Sequence, residues 1–135
     1  MSYIRYKNKN LFVENVSVRS IASKLSTPFY LYSEGNIIEN YKSFVNNFIK
    51  SKPLICFSVK ANSNIQILKV LKKMGSGADV VSGGELLKAI KSGIKPNKIV
   101  FSGVGKTEDE IRLAIKREIL LINVESENEA ILIDK

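Results

Sequence analysis

The sequence contains no histidine and a single cysteine, Cys56. Without a second cysteine, the chain cannot form an intrachain disulfide. Without histidine, it cannot build a zinc site with imidazole ligands, a Ser-His-Asp triad or a Cys-His nucleophile pair. We therefore expect no metal site, and any chemistry must use lysine, carboxylates or a cofactor.

Long apolar segments are missing as well. No run reaches the roughly 18 apolar residues that a membrane-spanning helix needs. The first ten residues also lack the apolar stretch of a secretory signal. We therefore expect a cytoplasmic protein with no membrane partner. The composition that remains, 44% hydrophobic and 25% charged, is typical of a soluble folded domain.

Arginine is scarce despite a net charge of +8, since 17 lysines stand against 4 arginines. The planar guanidinium fork is the preferred group for recognising phosphates and base edges. Lysines spread along helical faces indicate compositional bias rather than a binding stripe. We expect no nucleic-acid partner.

Strand-like and helix-like segments alternate along the chain. Residues 11–20 contain a short strand-like segment, and a brief amphipathic turn follows at 21–25. Strands are predicted at 27–32, 54–59, 78–81, 99–101 and 120–124. Helices are predicted at 33–49, 64–74, 85–90 and 108–115, with another beginning at Glu127. The pattern predicts an α/β protein.

The spacing of the last four strands indicates parallel βα units. They begin near residues 54, 78, 99 and 120, close to the smallest repeat that holds a strand, a crossover helix and two loops. A doubly wound sheet and a (β/α)8 barrel both fit this spacing. Because a typical barrel has about 250 residues, a barrel interpretation makes this chain only part of one.

Lys60 is the candidate for chemistry, because functional groups in such folds gather where parallel strands end. It follows an apolar strand, and alternation predicts Cys56, Ser58 and Lys60 on one face of that strand. Apolar surroundings lower the pKa of a lysine amine, and a neutral amine can form a Schiff base with a carbonyl. The alternative is a lysine that ends the strand and reaches solvent.

Three sequence strings resemble one known family. Phe57-Ser-Val-Lys-Ala-Asn-Ser-Asn64 resembles the cofactor-lysine motif of the fold-type III pyridoxal-phosphate decarboxylases. The strings 77–86 and 99–108 resemble the diaminopimelate decarboxylases of that family more than its ornithine or arginine decarboxylases. The resemblance runs from about Leu11 to the end of the chain.

The resemblance implies a fold and a site. The fold would be a partial (β/α)8 barrel of the alanine racemase-like type, with its first four or so units in residues 33–135 and a short N-terminal β segment in residues 1–32. Lys60 would carry pyridoxal 5'-phosphate as a Schiff base and help to return a proton to the substrate. Ser58, Asn62, Asp79 and Glu85 would contact the cofactor or its lysine. The alternatives are that Asn62 fixes its loop, that Asp79 is an ordinary carboxylate at a strand end, and that Glu85 is a helix N-terminal carboxylate.

The family resemblance further implies a reaction and an assembly. The substrate would be meso-2,6-diaminopimelate, the product L-lysine, and the protein a homodimer. Ser102, Lys106 and Glu125 are weaker candidates, which loop geometry can explain. The family's phosphate loop, ring-stacking histidine and substrate arginine have no match here, so we expect an N-terminal fragment that is inactive alone. The alternatives are a non-catalytic cofactor-binding or assembly fragment, or another fold-type III decarboxylase or racemase-like protein.

Overall fold

The computed structural model describes residues 3–48 and 50–135. A small antiparallel sheet comes first, and alternating strands and helices follow. The elements are β1 (Ile4–Lys7), β2 (Asn10–Val13), β3 (Val16–Ser17), α1 (Val18–Ala22), α2 (Glu34–Asn46), β4 (Cys56–Ser58), α3 (Ile65–Lys73), β5 (Gly77–Val80), α4 (Gly83–Lys91), β6 (Ile99–Phe101), α5 (Glu108–Lys116), β7 (Leu121–Ile122) and α6 (Glu127–Asp134). Across the described part of the chain, no helix is both long and apolar enough to cross a membrane.

The turn between β2 and β3 packs against the start of α2. Strands β1, β2 and β3 pair antiparallel in chain order. Strands β2 and β3 confirm the strand-like segment predicted within residues 11–20. The turn predicted at 21–25 is helix α1, which begins three residues earlier, at Val18. Strand β1 was not predicted. Glu14 accepts hydrogen bonds from the Ser33 hydroxyl at 2.6 Å and the Gly35 amide at 2.8 Å, and these lower the pKa of its carboxyl group.

The second sheet is parallel, and its strand order follows the chain from β4 to β7. A doubly wound sheet reverses its strand order at a switch point, whereas a barrel adds each new strand beside the last. The uninterrupted order of these four strands therefore favours the barrel alternative.

Side-chain alternation gives the parallel sheet two unlike faces. One face joins helices α3, α4 and α5 in a buried apolar core. The core residues are Val59, Leu68, Ala78, Val80, Leu86, Ala89, Ile94, Ile99, Phe101 and Ala114. The register places Cys56, Ser58, Asp79, Val100 and Leu121 on the opposite face. Leu121 is 50% exposed on that face, so the core lies between the sheet and its helices.

Polar side chains cap the helices and fix where each begins. The caps are Ser33, Asn64, Ser82, Thr107 and Ser126. Each side-chain oxygen accepts a hydrogen bond from an amide that has no partner inside its helix. The backbone of Gly75, just past α3, has a φ of +91°, a conformation that glycine adopts without strain. The sequence predicted this stop and the helix that begins at Glu127.

Three strand predictions need correction. Residues 27–32 form no strand, because no described strand pairs with them, and Tyr30 is 90% exposed. Aromatic residues favour a strand only where a neighbouring strand completes the ladder. The predicted strands at 54–59 and 120–124 shorten to Cys56–Ser58 and Leu121–Ile122, since each lies at an edge of the sheet with one neighbour.

Candidate active site

The candidate residues lie at the carboxyl edge of the parallel sheet. Ser58 is the last residue of β4 and stands directly opposite Asp79 on β5. Ser102 follows β6 and continues the ladder, with its amide donating to the Val80 carbonyl at 2.8 Å. The amide of Asn123, after β7, donates to the Phe101 carbonyl at 2.9 Å. Four neighbouring strands thus each place one polar residue at this edge.

Lys60 lies in the 3₁₀ turn Val59–Ala61 rather than on the strand. The prediction that it shares a strand face with Cys56 and Ser58 is therefore wrong, because alternation ends at Ser58. Val59 is fully buried in the core, whereas Lys60 is exposed. The apolar surroundings expected for Lys60 are not found. Within the described residues its amine has no hydrogen-bond or ion-pair partner, which leaves it available to a ligand.

Ser58 has the only buried side-chain oxygen or nitrogen in the described residues without a hydrogen-bond partner. A buried hydroxyl without a partner carries a free-energy cost. Its neighbour across the sheet is the Asp79 carboxylate, and Lys60 follows it by two residues. An unpaired hydroxyl beside a carboxylate and an available amine suits a polar ligand with an aldehyde, such as pyridoxal phosphate, so the residues present fit that group.

A chain of hydrogen bonds fixes the Asp79 carboxylate. The Ser102 hydroxyl donates to Asp79 Oδ1 at 2.6 Å, and the Asn123 side-chain amide donates to that hydroxyl at 2.9 Å. Ser102 was only a weak candidate, and Asn123 was not a candidate at all. Both directly follow a strand of the parallel sheet. The sequence signalled this for Ser102, but the strand predicted at 120–124 contained Asn123.

Asn62 and Glu85 make local backbone contacts. Asn62 Oδ1 accepts from the Asn64 amide at 3.0 Å and so closes the turn that leads from Lys60 into α3. Glu85 Oε2 accepts from the Val81 amide at 2.9 Å. Both residues shape the loops of the candidate site, and Glu85 lies in the first turn of α4, where the helix dipole favours a carboxylate.

Cys56 lies on the same face of the sheet as Ser58, two residues earlier in β4. Burial raises the pKa of its thiol, and the negative charge of Asp79 raises it further. The thiol is 3.8 Å from the Lys98 carbonyl oxygen, to which it can donate. Cys56 is therefore a neutral packing residue rather than a nucleophile.

Lys106 is a buried lysine whose contacts the sequence did not indicate. Its ammonium group donates to the Gly103 carbonyl at 2.8 Å, the Asn123 carbonyl at 2.7 Å and Glu129 Oε1 at 2.6 Å. The side chains of Lys106 and Glu129 are 1% and 7% exposed. The ammonium also lies 5.8 Å from the centre of the Phe101 ring. This ion pair is therefore joined to the backbone of the residues that follow β6 and β7.

Comparison with known proteins places this geometry in a family. Residues 34–135 match the family model described as pyridoxal-dependent decarboxylase, pyridoxal binding domain. The chain belongs to this family. The match covers the whole parallel sheet and begins one residue after Ser33, which caps α2.

Several relatives are diaminopimelate decarboxylases. The chain is 46% identical to that of Aquifex aeolicus over 127 residues, which cover 94% of this chain and 30% of the relative. It is 54% identical to that of Helicobacter pylori over 100 residues, 74% of this chain and 25% of the relative. The crystal structure of the diaminopimelate decarboxylase of M. jannaschii in complex with L-lysine superposes with a TM-score of 0.92 at 38% identity, covering 97% of this chain and 32% of that one.

These matches bear on the sequence predictions in different ways. They confirm the family resemblance and the partial barrel, and they exclude the doubly wound alternative. The chain spans 25–30% of the length of the curated relatives named above. The division at residues 1–32 and 33–135 and the roles of Lys60, Ser58, Asn62, Asp79 and Glu85 stay predictions.

Proposed function

We propose that this chain supplies the cofactor-holding lysine of a pyridoxal-5'-phosphate-dependent decarboxylase, which converts meso-2,6-diaminopimelate to L-lysine. One observation carries the proposal. Within the part of the chain that the structure describes, the Lys60 amine has no partner, and it follows a buried Ser58 hydroxyl that also has none and lies opposite Asp79 at the carboxyl edge of the sheet. The names of the relatives, and the L-lysine in the M. jannaschii complex, support the choice of substrate and product.

Each candidate residue has a role in the proposed reaction. Lys60 holds the cofactor through its amine, and we expect Lys60 Nζ to return a proton to the substrate carbon. Ser58 donates a hydrogen bond to the bound group, which satisfies its hydroxyl. We expect the Asp79 carboxylate, which lies opposite Ser58 and has Oδ1 fixed by Ser102, to face the bound cofactor. Asn62 orients the turn that carries Lys60. Pyridoxal phosphate supplies the electron sink that stabilises the charge left when carbon dioxide departs.

Borohydride trapping of the purified chain tests this assignment. The chain is incubated with limiting pyridoxal phosphate, reduced and mapped for modified lysines. We expect labelling concentrated on Lys60 and lost in Lys60→Ala. Lys69→Ala, which removes another exposed lysine in the middle of α3, is the matched control and should keep the label. Equal labelling of many of the 17 lysines in all three proteins would contradict the proposal.

A second candidate is a non-catalytic cofactor-binding or assembly piece. It is favoured by the short span of the match, which is 30% of the A. aeolicus relative. Co-expression with the remaining part of that relative separates the two candidates. Decarboxylation of meso-diaminopimelate that disappears in Lys60→Ala supports the decarboxylase. Labelling of Lys60 without decarboxylation supports the second candidate. The homodimer and the cytoplasmic location stay predictions.

A further inference from the structure

The buried pair of Lys106 and Glu129 connects two loops at the candidate site. An ammonium group has three hydrogens, and Lys106 places them on three acceptors from different segments. Gly103 belongs to the loop after β6, Asn123 to the loop after β7, and Glu129 to α6. With all three donors used, the charge can be buried without an unsatisfied group.

The two carbonyls that Lys106 binds adjoin the residues that hold Asp79. Gly103 follows Ser102 directly, and its backbone turns with a φ of +93° against the side chain of Val81. Asn123 offers its carbonyl to Lys106 and its side-chain amide to the Ser102 hydroxyl. A shift of either loop would therefore move a member of the hydrogen-bond chain that ends on Asp79.

The Ser102 hydroxyl has one hydrogen, and the structure uses it on Asp79 Oδ1. Its oxygen accepts the Asn123 amide, so Asn123 determines where that hydrogen points. This arrangement needs both loops at a fixed separation. Lys106 provides it, because one ammonium group binds both backbones at 2.7–2.8 Å.

Net stability is a weak explanation for this pair. Replacing a buried ion pair by apolar residues of similar volume is often neutral or stabilising. A charge with three directed donors does, however, fix the positions of its acceptors. We propose that Lys106, paired with Glu129, is a positioning residue that holds the loops after β6 and β7 so that Ser102 and Asn123 fix the Asp79 carboxylate. The importance of Asp79 to the cofactor rests on the proposed function.

The test replaces both charges together, so that no unpaired charge stays buried. In the chain with Lys106→Met and Glu129→Leu, three-bond coupling constants measured by NMR report the χ1 rotamer of Asp79 without any cofactor. We expect one rotamer in the parent chain and averaging between staggered rotamers in the double variant. The matched control carries Glu108→Leu and Arg112→Met, which removes an exposed ion pair on α5 and should keep one rotamer.

A folded double variant that keeps a single Asp79 rotamer overturns the proposal. If this variant does not fold, Lys106→Gln with Glu129→Gln retains a neutral polar pair and removes both charges and one of the three donors at position 106. Averaging of Asp79 in that chain supports the proposal, and a single rotamer overturns it. Failure of both variants to fold also overturns it, because the pair would then support the whole domain rather than two loops.

A second readout uses the cofactor. In the double variant we expect borohydride-trapped labelling of Lys60 to be about tenfold slower, because the Asp79 carboxylate is no longer fixed; tenfold corresponds to about 1.4 kcal/mol. The control should show no change. The two proposals fail separately. Absence of Lys60 labelling in the parent chain counts against the proposed function, whereas the Asp79 rotamer decides the role of Lys106.

Discussion

Two lysines lie just past strands of the same sheet, in opposite surroundings. Lys60, in the turn after β4, is exposed and has no partner among the described residues. Lys106, in the loop after β6, is buried and uses all three hydrogens. From the sequence, a poorly solvated lysine was expected to carry the chemistry. In the structure the poorly solvated lysine organises loops, and the exposed one is available to a ligand.

The same contrast separates the loops themselves. The loop after β6 is held by a charged group of the next βα unit, Glu129, in a buried contact. The loop after β4 is held by its own Asn62 and by an exposed hydrogen bond of 2.9 Å from Lys88 to Ser63. A loop held by weak, solvated contacts can adjust to a ligand, whereas one held by a buried ion pair offers a fixed wall.

The largest expected effect comes from breaking the buried pair on one side only. Lys106→Met leaves the Glu129 carboxylate buried without its partner, and we expect it to lower the free energy of unfolding by about 3–5 kcal/mol. Lys60→Met removes an exposed amine and should change it by less than about 0.5 kcal/mol. Urea denaturation of both variants beside the parent chain measures the difference. Similar losses in the two variants would remove the contrast between the lysines.

The second largest effect is expected where the loop after β5 enters α4. The carboxylate of Glu110, on α5, binds the backbone there. Glu110 on α5 accepts from the Gly83 amide at 2.7 Å and from the Thr107 amide at 3.0 Å, and these bonds lower the pKa of its carboxyl group below 4.5. A lowered folded-state pKa gives stability that is present above the unfolded value and lost as pH falls through the folded value. Acid should therefore loosen this loop.

Glu110→Gln tests that dependence. We expect it to cost about 1 kcal/mol at pH 7, typical of a lost helix cap, and to cost less as the pH falls below 4.5. The matched control is Asp109→Asn, which removes an exposed carboxylate from the same helical turn without touching the bonds of Glu110, and it should cost less at pH 7. Unfolding midpoints in urea between pH 7 and pH 3 supply the measurement. A cost of Glu110→Gln that is constant across this range would contradict the role assigned to its charge.

Local signals in the sequence predicted most of the fold. Asn64, Thr107 and Gly75 act through neighbours within a few residues, so helix ends followed from the chain itself. The pair of Lys106 and Glu129 joins residues 23 apart, and it exists only once two loops have folded beside each other. The strand prediction at 27–32 was wrong for the same reason, since a strand needs a neighbour that the local sequence does not reveal.

The sequence predicted which residues form the candidate site better than it predicted the contacts that they make. The rule that functional groups follow parallel strands located Lys60, Asp79 and Ser102. It missed Asn123, because the strand predicted at 120–124 contained that residue. It could not show that the Ser58 hydroxyl lacks a partner within the described residues. That fact depends on the distances between side chains on different strands, which only packing sets.

The smallest effect comes from the exposed counterpart of the buried pair. Arg112 and Glu108 form an ion pair on α5 with side chains 67% and 55% exposed. Arg112→Met should lower the free energy of unfolding by about 0.3–0.5 kcal/mol, the typical value for such a pair on a helix surface, and by less in 1 M salt, where screening weakens it. The same salt should change the loss in Lys106→Met much less, because the side chains of that pair are 1% and 7% exposed and buried pairs are screened little. Equal salt sensitivity of the two losses would mean that burial does not set the difference between them.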